Sequence, residues 1–249
     1  VWTTMAERFV LAGNARNAPD IAWVNDNNIA LLGASDVAAD LKPVVDAWPR
    51  ARREDQVLPA AFTSATVRGR LLAMPIMATT FVMMVRKDLL AAAGKTMADL
   101  RTWDGVVEAA KAMTRDTNGD GQPDIWGIGL GLATERYSVT PAVVAAIGAQ
   151  GGLFGDACRA RIATPEVARA IQWQADLITR HRVTPREAVA MTSDDAIDQF
   201  AAGRYGLMLI SNARFDQIQR TAAGWNKDDL GVAPIPGWTA DRPGPALLT

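Results

Sequence analysis

Residues 116 to 127, DTNGDGQPDIWG, set Asp116, Asn118, Asp120 and Asp124 among three glycines. A helix–loop–helix calcium loop wants oxygen ligands at its first, third and fifth places. It also wants glycine at the sixth and a bidentate Glu at the twelfth. Asp116, Asn118, Asp120 and Gly121 meet that pattern, Asp124 falls at the ninth place, and the twelfth residue is Gly127. With the Gln122 carbonyl, the loop offers Asp116, Asn118, Asp120 and Asp124 as further oxygen donors. Calcium takes roughly six to eight oxygens, so water or a distant residue would have to complete the set. Two readings stand: a structural calcium site, or a metal-free turn in which Asp and Asn side chains cap the backbone.

The remaining reactive residue types are sparse. His181 is the only histidine and lies between Arg180 and Arg182 at a helix end, where cations suit the helix dipole. Cys158 is the only cysteine, which excludes an internal disulfide and a cysteine-based zinc site. Neither a Ser-His-Asp nor a Cys-His constellation can be assembled convincingly from one His and one Cys. The segment GIGLGLA lacks the third glycine of a dinucleotide-binding turn. Paired carboxylates for glycoside hydrolysis need only two acids at the right distance and stay open as an alternative. A calcium-dependent interaction module would normally repeat its loop, and this one occurs once.

Such positions must be held by a scaffold, and 249 residues suffice for one large domain or two ordinary ones. Hydrophobic residues make up 49% and charged residues 21%, an ordinary globular balance. A formal net charge of −1 and a pI near 5.9 give no electrostatic pull towards nucleic acid or anionic lipid. The longest apolar stretch, LLAMPIMATTFVMMV, is broken by Pro75, Thr79 and Thr80 and falls short of the ~20 residues of a spanning helix. It reads as two buried strands around a bend. The chain opens on Val1-Trp2 without a leader-like segment and stops in GPALLT, so both ends read as internal to a longer protein.

Along the chain, APDIAWVNDNN predicts a short strand at Ile21–Val24, then a polar loop and a helix over 27–33 ending at Gly33. Arg68-Gly69 predicts a hairpin turn. FVMMVRKDLLAAAG is a strand passing into a helix, and Thr102 caps the next helix, with Val106, Val107, Ala110 and Met113 on one face. IWGIGL is a strand. Thr140-Pro141 and Thr164-Pro165 each open a helix, the second burying Val167, Ile171 and Ile178. Ser193 caps a helix carrying Asp194, Asp195 and Asp198 near its start, LMLI is a continuous apolar strand, and LGVAPIP is the last strand. This alternation points to an α/β protein with largely parallel, buried sheets. Ligands in such sheets sit at the carboxyl ends of strands, which selects Asn25, Asp26 and Asn27, and Ser211 and Asn212.

The order of APDIAWVND, GRLLAMPIMATTFVMMVRKDLL, TWDGVVEAAKAMTRDTNGDGQPDIWG, AIDQFAAGRYGLMLISN and GVAPIPG resembles that of the extracellular solute-binding proteins of family 1, the maltose-binding-like receptors of sugar ABC importers. The resemblance covers nearly the whole chain. It implies an α/β, two-lobed periplasmic-binding-protein-like fold of type II, of which this chain is an internal portion lacking the N- and C-terminal segments. Residues 1–77 would be part of lobe 1 and 78–249 lobe 2, with a crossing segment near 75–82 and a sugar site in the cleft.

The same resemblance nominates ligand-binding residues. Trp23, Asn25, Asp26 and Asn27 stand in the loop of lobe 1 that reaches the sugar, though strand alternation would equally send Trp23 into the core. Asp26 is suited to accept two hydroxyl hydrogen bonds at once. Thr79 stands where the crossing segment offers a polar group. Glu135 and Tyr137 match an acidic and an aromatic residue lining the cleft, the flat ring suited to stacking on a pyranose. Asn212 and Arg214 stand where relatives place aromatics, and Arg214 either favours an acidic or phosphorylated ligand or is simply solvated. The implied function is capture of a mono- or oligosaccharide, without chemistry, and its presentation to permease subunits. The implied state is a monomer, periplasmic or extracellular, with or without a lipid anchor. Any calcium in the acidic loop would be structural and remote from the cleft, and no other cofactor is expected.

Overall fold

The structure, a computed structural model, describes residues 2–25, 28–48, 59–77, 79–133, 159–242 and 244. The chain divides into two compact units, Val1–Ala78 and Thr79–Leu248.

The first unit carries helices α1 (Trp2–Asn14), α2 (Ile29–Ser35), α3 (Lys42–Asp46) and α4 (Pro59–Ser64), and a hairpin of β1 (Thr66–Val67) and β2 (Arg70–Leu71). The hairpin turns at Arg68 and Gly69, both at positive φ (52° and 79°), the conformation a two-residue turn demands. Ile29, Leu32 and Leu72 form one small core with Phe9, Val10, Val24 and Val67 around it, and Val45, Ala65 and Leu71 form another. Asp40 ties the two halves of the unit: its Oδ1 accepts from Lys42 N at 2.9 Å and from Leu71 N at 3.0 Å.

Two expectations for this unit are corrected. Ile21–Val24 is not a strand; residues 22–25 have no regular structure, Ile21 is 90% exposed, and only Val24 turns into the core. A strand needs a neighbour to take its N–H and C=O groups, and no described segment pairs with this one. The helix after it runs to Ser35 and ends on Asp36 in a left-handed conformation, not at Gly33. Gly33 is instead a packing glycine, since a Cβ there would stand 2.9 Å from Val67 Cγ1.

In the second unit, β3 (Phe81–Arg86), β4 (Trp126–Gly129), β5 (Tyr205–Ser211) and β6 (Leu230–Ala233) form one sheet in the order β4-β5-β3-β6. Helices α5 (Lys87–Ala92), α6 (Trp103–Met113), α7 (Pro165–Thr179), α8 (Ser193–Ala201) and α9 (Phe215–Thr221) surround it. Alternate residues of the central strands face opposite sides. Met83, Val85, Leu207 and Leu209 meet α6 and α7 through Val106, Val107, Ala110, Ala170 and Leu177. Met84, Met208 and Ile210 meet α8 and α9 through Ile197, Phe200 and Ile218. Both faces of β3 are therefore covered, which is why its sequence shows no polar alternation. Met83, Met84 and Val85 are fully buried. Each such side chain contributes about 1.5–3 kcal/mol.

The sheet is mixed rather than largely parallel. β4 and β5 are parallel, but β3 is antiparallel to both β5 and β6, with Phe81 opposite Ser211 and Arg86 opposite Leu230. An apolar run reports burial on two faces and carries no record of strand direction. At the far end of β3 the buried Arg86 pairs with Asp88, with Nε donating to Oδ1 at 2.8 Å, and its guanidinium lies 4.2 Å from the Trp225 ring.

The helix caps follow the sequence with one shift. Thr102 and Thr164 accept from Gly105 N and Val167 N as N-caps of α6 and α7. The N-cap of α8 is Thr192, not Ser193. Thr192 Oγ1 accepts from Asp195 N at 3.1 Å while Asp195 Oδ2 accepts from Thr192 N at 2.9 Å, a reciprocal pair that only an acid three places on can complete. On α7 the buried stripe is Val167, Ala170, Gln174 and Leu177, and Ile171 is exposed. The helix expected at Thr140-Pro141 lies outside the described residues.

Candidate functional site

β4 and β5 run the same way, so their carboxyl ends share one edge of the sheet, and β3 begins there because it runs against them. Chain entering and leaving this edge carries hydrogen-bonding side chains. Asn212, directly after β5, donates its main-chain N–H to Thr80 O at 2.8 Å, and its Oδ1 accepts from Thr80 N at 3.0 Å. Thr79 and Thr80 are half-buried beside it. Ser211 Oγ accepts from Ala213 N at 3.3 Å, fixing the turn into a short 3-10 segment, Asn212–Arg214.

Arg214 leaves that segment with both terminal nitrogens facing acceptors. One Nη lies 3.1 Å from Asp194 Oδ1, and the other donates to Gln217 Oε1 at 2.8 Å. Asp194 is delivered by the first turn of α8, behind the Thr192–Asp195 cap, whose hydrogen bonds hold the Asp195 carboxyl below its usual range. The loop after β4 lies against the same turn: Leu132 N donates to Ala188 O at 3.0 Å and Ala133 N to Met191 O at 2.9 Å. The structure thus brings Thr79, Asn212 and Arg214 to one edge. It also adds Thr80, Asp194 and Gln217, which sequence reasoning did not nominate as site residues. Gln217 was legible as the neighbour three places on from Arg214 along a helix; Asp194 and Thr80 had no local signal.

The other nominated residues divide between the units and the undescribed segments. Trp23 is half-exposed and Asn25 half-buried in the first unit, where Asn25 O accepts from Asn28 N at 3.0 Å. Asp26, Asn27, Glu135 and Tyr137 lie outside the described residues, as does Cys158. His181 follows α7, and burial together with Lys111 and Arg180 lowers its pKa, so it is neutral near pH 7 and stands without an acid–base partner role in any cluster described.

The acidic loop sits at the opposite edge, where β4 begins. Asp116 Oδ1 accepts from Asn118 N and Gly119 N at 3.1 and 2.6 Å, and its Oδ2 accepts from Gly121 N at 2.8 Å. Asn118 Oδ1 accepts from Asp120 N, and Asp120 Oδ1 from Gln122 N, both at 2.8 Å. Asp124 Oδ2 accepts from Thr117 N at 2.7 Å and Thr117 Oγ1 at 2.6 Å. These donors hold Asp116, chiefly through Gly121 and Gly119, and Asp124, chiefly through Thr117, below the usual carboxylate range. Among the described residues no three acidic, His or Cys side chains converge to hold a metal. In this conformation the carboxylate and amide oxygens brace the loop's own backbone.

Gly127, the twelfth residue, is fixed by packing. A Cβ there would stand 2.0 Å from Ala110 O, so a Glu ligand at this place is sterically closed.

Comparison with known proteins bears on the whole chain. The family model described as bacterial extracellular solute-binding protein matches residues 1–248. No curated protein matches. Among solved structures, the chain is similar to maltose-bound MalE3 of T. maritima, at 28% identity and a TM-score of 0.66, over 85% of this chain and 52% of that one. It is similar to a putative oligosaccharide periplasmic-binding protein from Synechococcus sp. MITs9220, at 25% identity and a TM-score of 0.71, over 97% and 57%. A solute-binding protein from Thermotoga lettingae TMO, bound with α-D-tagatose, shares the fold at a TM-score of 0.78 and 20% identity, over 99% and 62%. The chain therefore spans a little over half the length of the solved proteins it matches.

Proposed function

The chain belongs to the bacterial extracellular solute-binding proteins, and from that premise we propose that it is the substrate-binding component of an ABC importer, capturing a mono- or oligosaccharide unchanged. The family match over residues 1–248 carries this reading. The carboxyl edge of β4 and β5 supports it, presenting hydroxyl, amide and paired charged groups suited to sugar hydroxyls. The partners are a neutral sugar and the permease subunits, and the protein acts as a monomer outside the cytoplasmic membrane. Among the described residues no helix is long and apolar enough to cross a membrane.

In this proposal Trp23, Asn25, Asp26 and Asn27 of lobe 1 and Thr79, Glu135 and Tyr137 of lobe 2 meet the solute. Asn212 and Arg214 shape its surroundings through Thr80 and Asp194. Closure around the ligand contributes only as much as the ligand's preference for the closed form. The acidic loop braces its own backbone, and calcium held by Asp116, Asn118, Asp120, Asp124 and the Gln122 carbonyl would be an added structural ion, since a carboxylate oxygen that accepts an N–H bond keeps a lone pair for a metal.

The test is a tryptophan-fluorescence titration of the full-length mature protein with mono- and oligosaccharides, polyols and sugar phosphates, using its eight tryptophans as reporters. A saturable change with one sugar, recovered intact, supports a transport receptor. Hydrolysis of the sugar would convert the reading to a carbohydrate-active enzyme with paired carboxylates. Silence across the panel would remove the sugar assignment.

A further inference from the structure

We propose that Asp194 sets the class of solute accepted at the carboxyl edge of β4 and β5, by taking up the charge of Arg214 so that the edge admits neutral polyhydroxylated solutes and rejects phosphorylated ones. The proposal rests on the receptor reading above. Arg214 follows β5 by three residues, where α/β sheets bind their ligands. A free guanidinium there would be a ready seat for phosphate, because its rigid fork of donors matches two oxygens at once.

The structure spends that fork internally. One Nη is 3.1 Å from Asp194 Oδ1 and the other donates to Gln217 Oε1 at 2.8 Å, so two of its edges face protein acceptors. Stability does not explain the pair. The side chains of Arg214 and Asp194 are 42% and 73% exposed, a setting in which an ion pair contributes about 0–1 kcal/mol. Its effect falls on what the edge presents to a ligand. Asp195 adds a second carboxylate in the same turn of α8, and Asp216, beyond Arg214, is taken by Arg220. At Arg214 itself the Asp194 carboxylate offsets the guanidinium charge that an approaching anion would meet. Gln217, a neutral acceptor, holds the fork in place without adding charge.

The substitution Asp194→Asn keeps the size and one acceptor oxygen facing Arg214 and removes only the charge. Binding of inorganic phosphate and of D-glucose to the full-length protein, followed by NMR of the Arg214 guanidinium and by calorimetry, reads the result. Unmasking one charge at contact range raises phosphate affinity by about tenfold or more over the unsubstituted protein. The gain should vanish in the Asp194→Asn, Arg214→Gln double variant, shrink at high salt, and be absent from Asp194→Glu, which retains the charge. Equal phosphate affinity in Asp194→Asn and the unsubstituted protein overturns the proposal. So does a gain that survives removal of Arg214. The phosphate arm decides the charge claim even if no sugar binds any variant, an outcome that would instead remove the receptor reading.

Discussion

Replacing Gly127 by Ala tests whether packing, rather than loss of a metal ligand, dictates the end of the acidic loop. Gly127 opens β4 beside the last turn of α6. A Cβ at this position would stand 2.0 Å from Ala110 O, 2.4 Å from its carbonyl carbon and 2.5 Å from its Cα. Ordinary contacts of carbon lie near 3.5 Å, so strand and helix must part by about 1 Å or more. That movement strains the bond by which a helix-capping hydroxyl holds the strand. Thr114 Oγ1 donates to Ala110 O at 2.8 Å and accepts from Gly127 N at 2.9 Å. Overpacking costs about 1–3 kcal/mol, and each hydrogen bond lost adds about 1 kcal/mol. Only the bond from Gly127 N joins strand to helix, so the expected destabilisation is about 2–4 kcal/mol, which lowers Tm by roughly 10 °C in a chain of this size. Gly119→Ala serves as the control. Nothing lies within 4 Å of its Cβ position, and the cost is only that of φ +80°, about 1–2 kcal/mol. Thermal unfolding by circular dichroism measures both. Gly127→Ala melting no lower than Gly119→Ala would refute the argument.

Three further outcomes follow from the same hydrogen bonds. Asp116 and Asp124 have lowered pKa values in the folded chain, so their stabilising effect is complete above the ordinary 3.8 and is lost as pH falls through the lower folded values. Carboxyl NMR titration should show both ionising below 3.8, together with loss of amide protection at Gly119 and Gly121. Calcium chelation should leave Tm within about 2 °C at neutral pH, since the carboxylates already tie the loop through its own N–H groups; a larger drop would show a resident ion. Asn212→Ala removes the acceptor of Thr80 N and should raise the exchange rate of that amide about tenfold, whereas Asn212→Asp, which keeps an Oδ1 acceptor, should not.

What was legible in the sequence was what local chemistry dictates. Thr102-Trp103-Asp104 and Thr164-Pro165 announced α6 and α7 because a cap needs only a hydroxyl and the first free N–H groups. The helix Trp2–Asn14 went unread, for it has no acidic residue in its first turn and no basic residue in its last. The Ile21–Val24 segment misled because β character is a property of a pair, and no described segment pairs with it. At the candidate site, Asn212 was found from its place after an apolar strand and Arg214 from the family resemblance. Their partners were not: Asn212 reaches Thr80 across 132 residues of chain, a separation over which spacing carries no information.

The reversed direction of β3 is what makes the site edge possible. Ligands favour the carboxyl ends of parallel strands, where β4 and β5 both finish. Had β3 run parallel to them, its amino end would have emerged at the other edge, beside the acidic loop. Six residues of strand span about 20 Å at 3.3 Å each, so Thr79 and Thr80 would have stood about that far from Asn212. Running antiparallel, β3 starts with Phe81 opposite Ser211, the residue on which β5 ends. The segment entering the second unit is thereby delivered to the ends of the parallel strands, and the two hydrogen bonds between Asn212 and Thr80 hold it there. A single antiparallel strand between parallel neighbours places the first residues of the unit among residues 132 positions later, and the candidate site can draw on both.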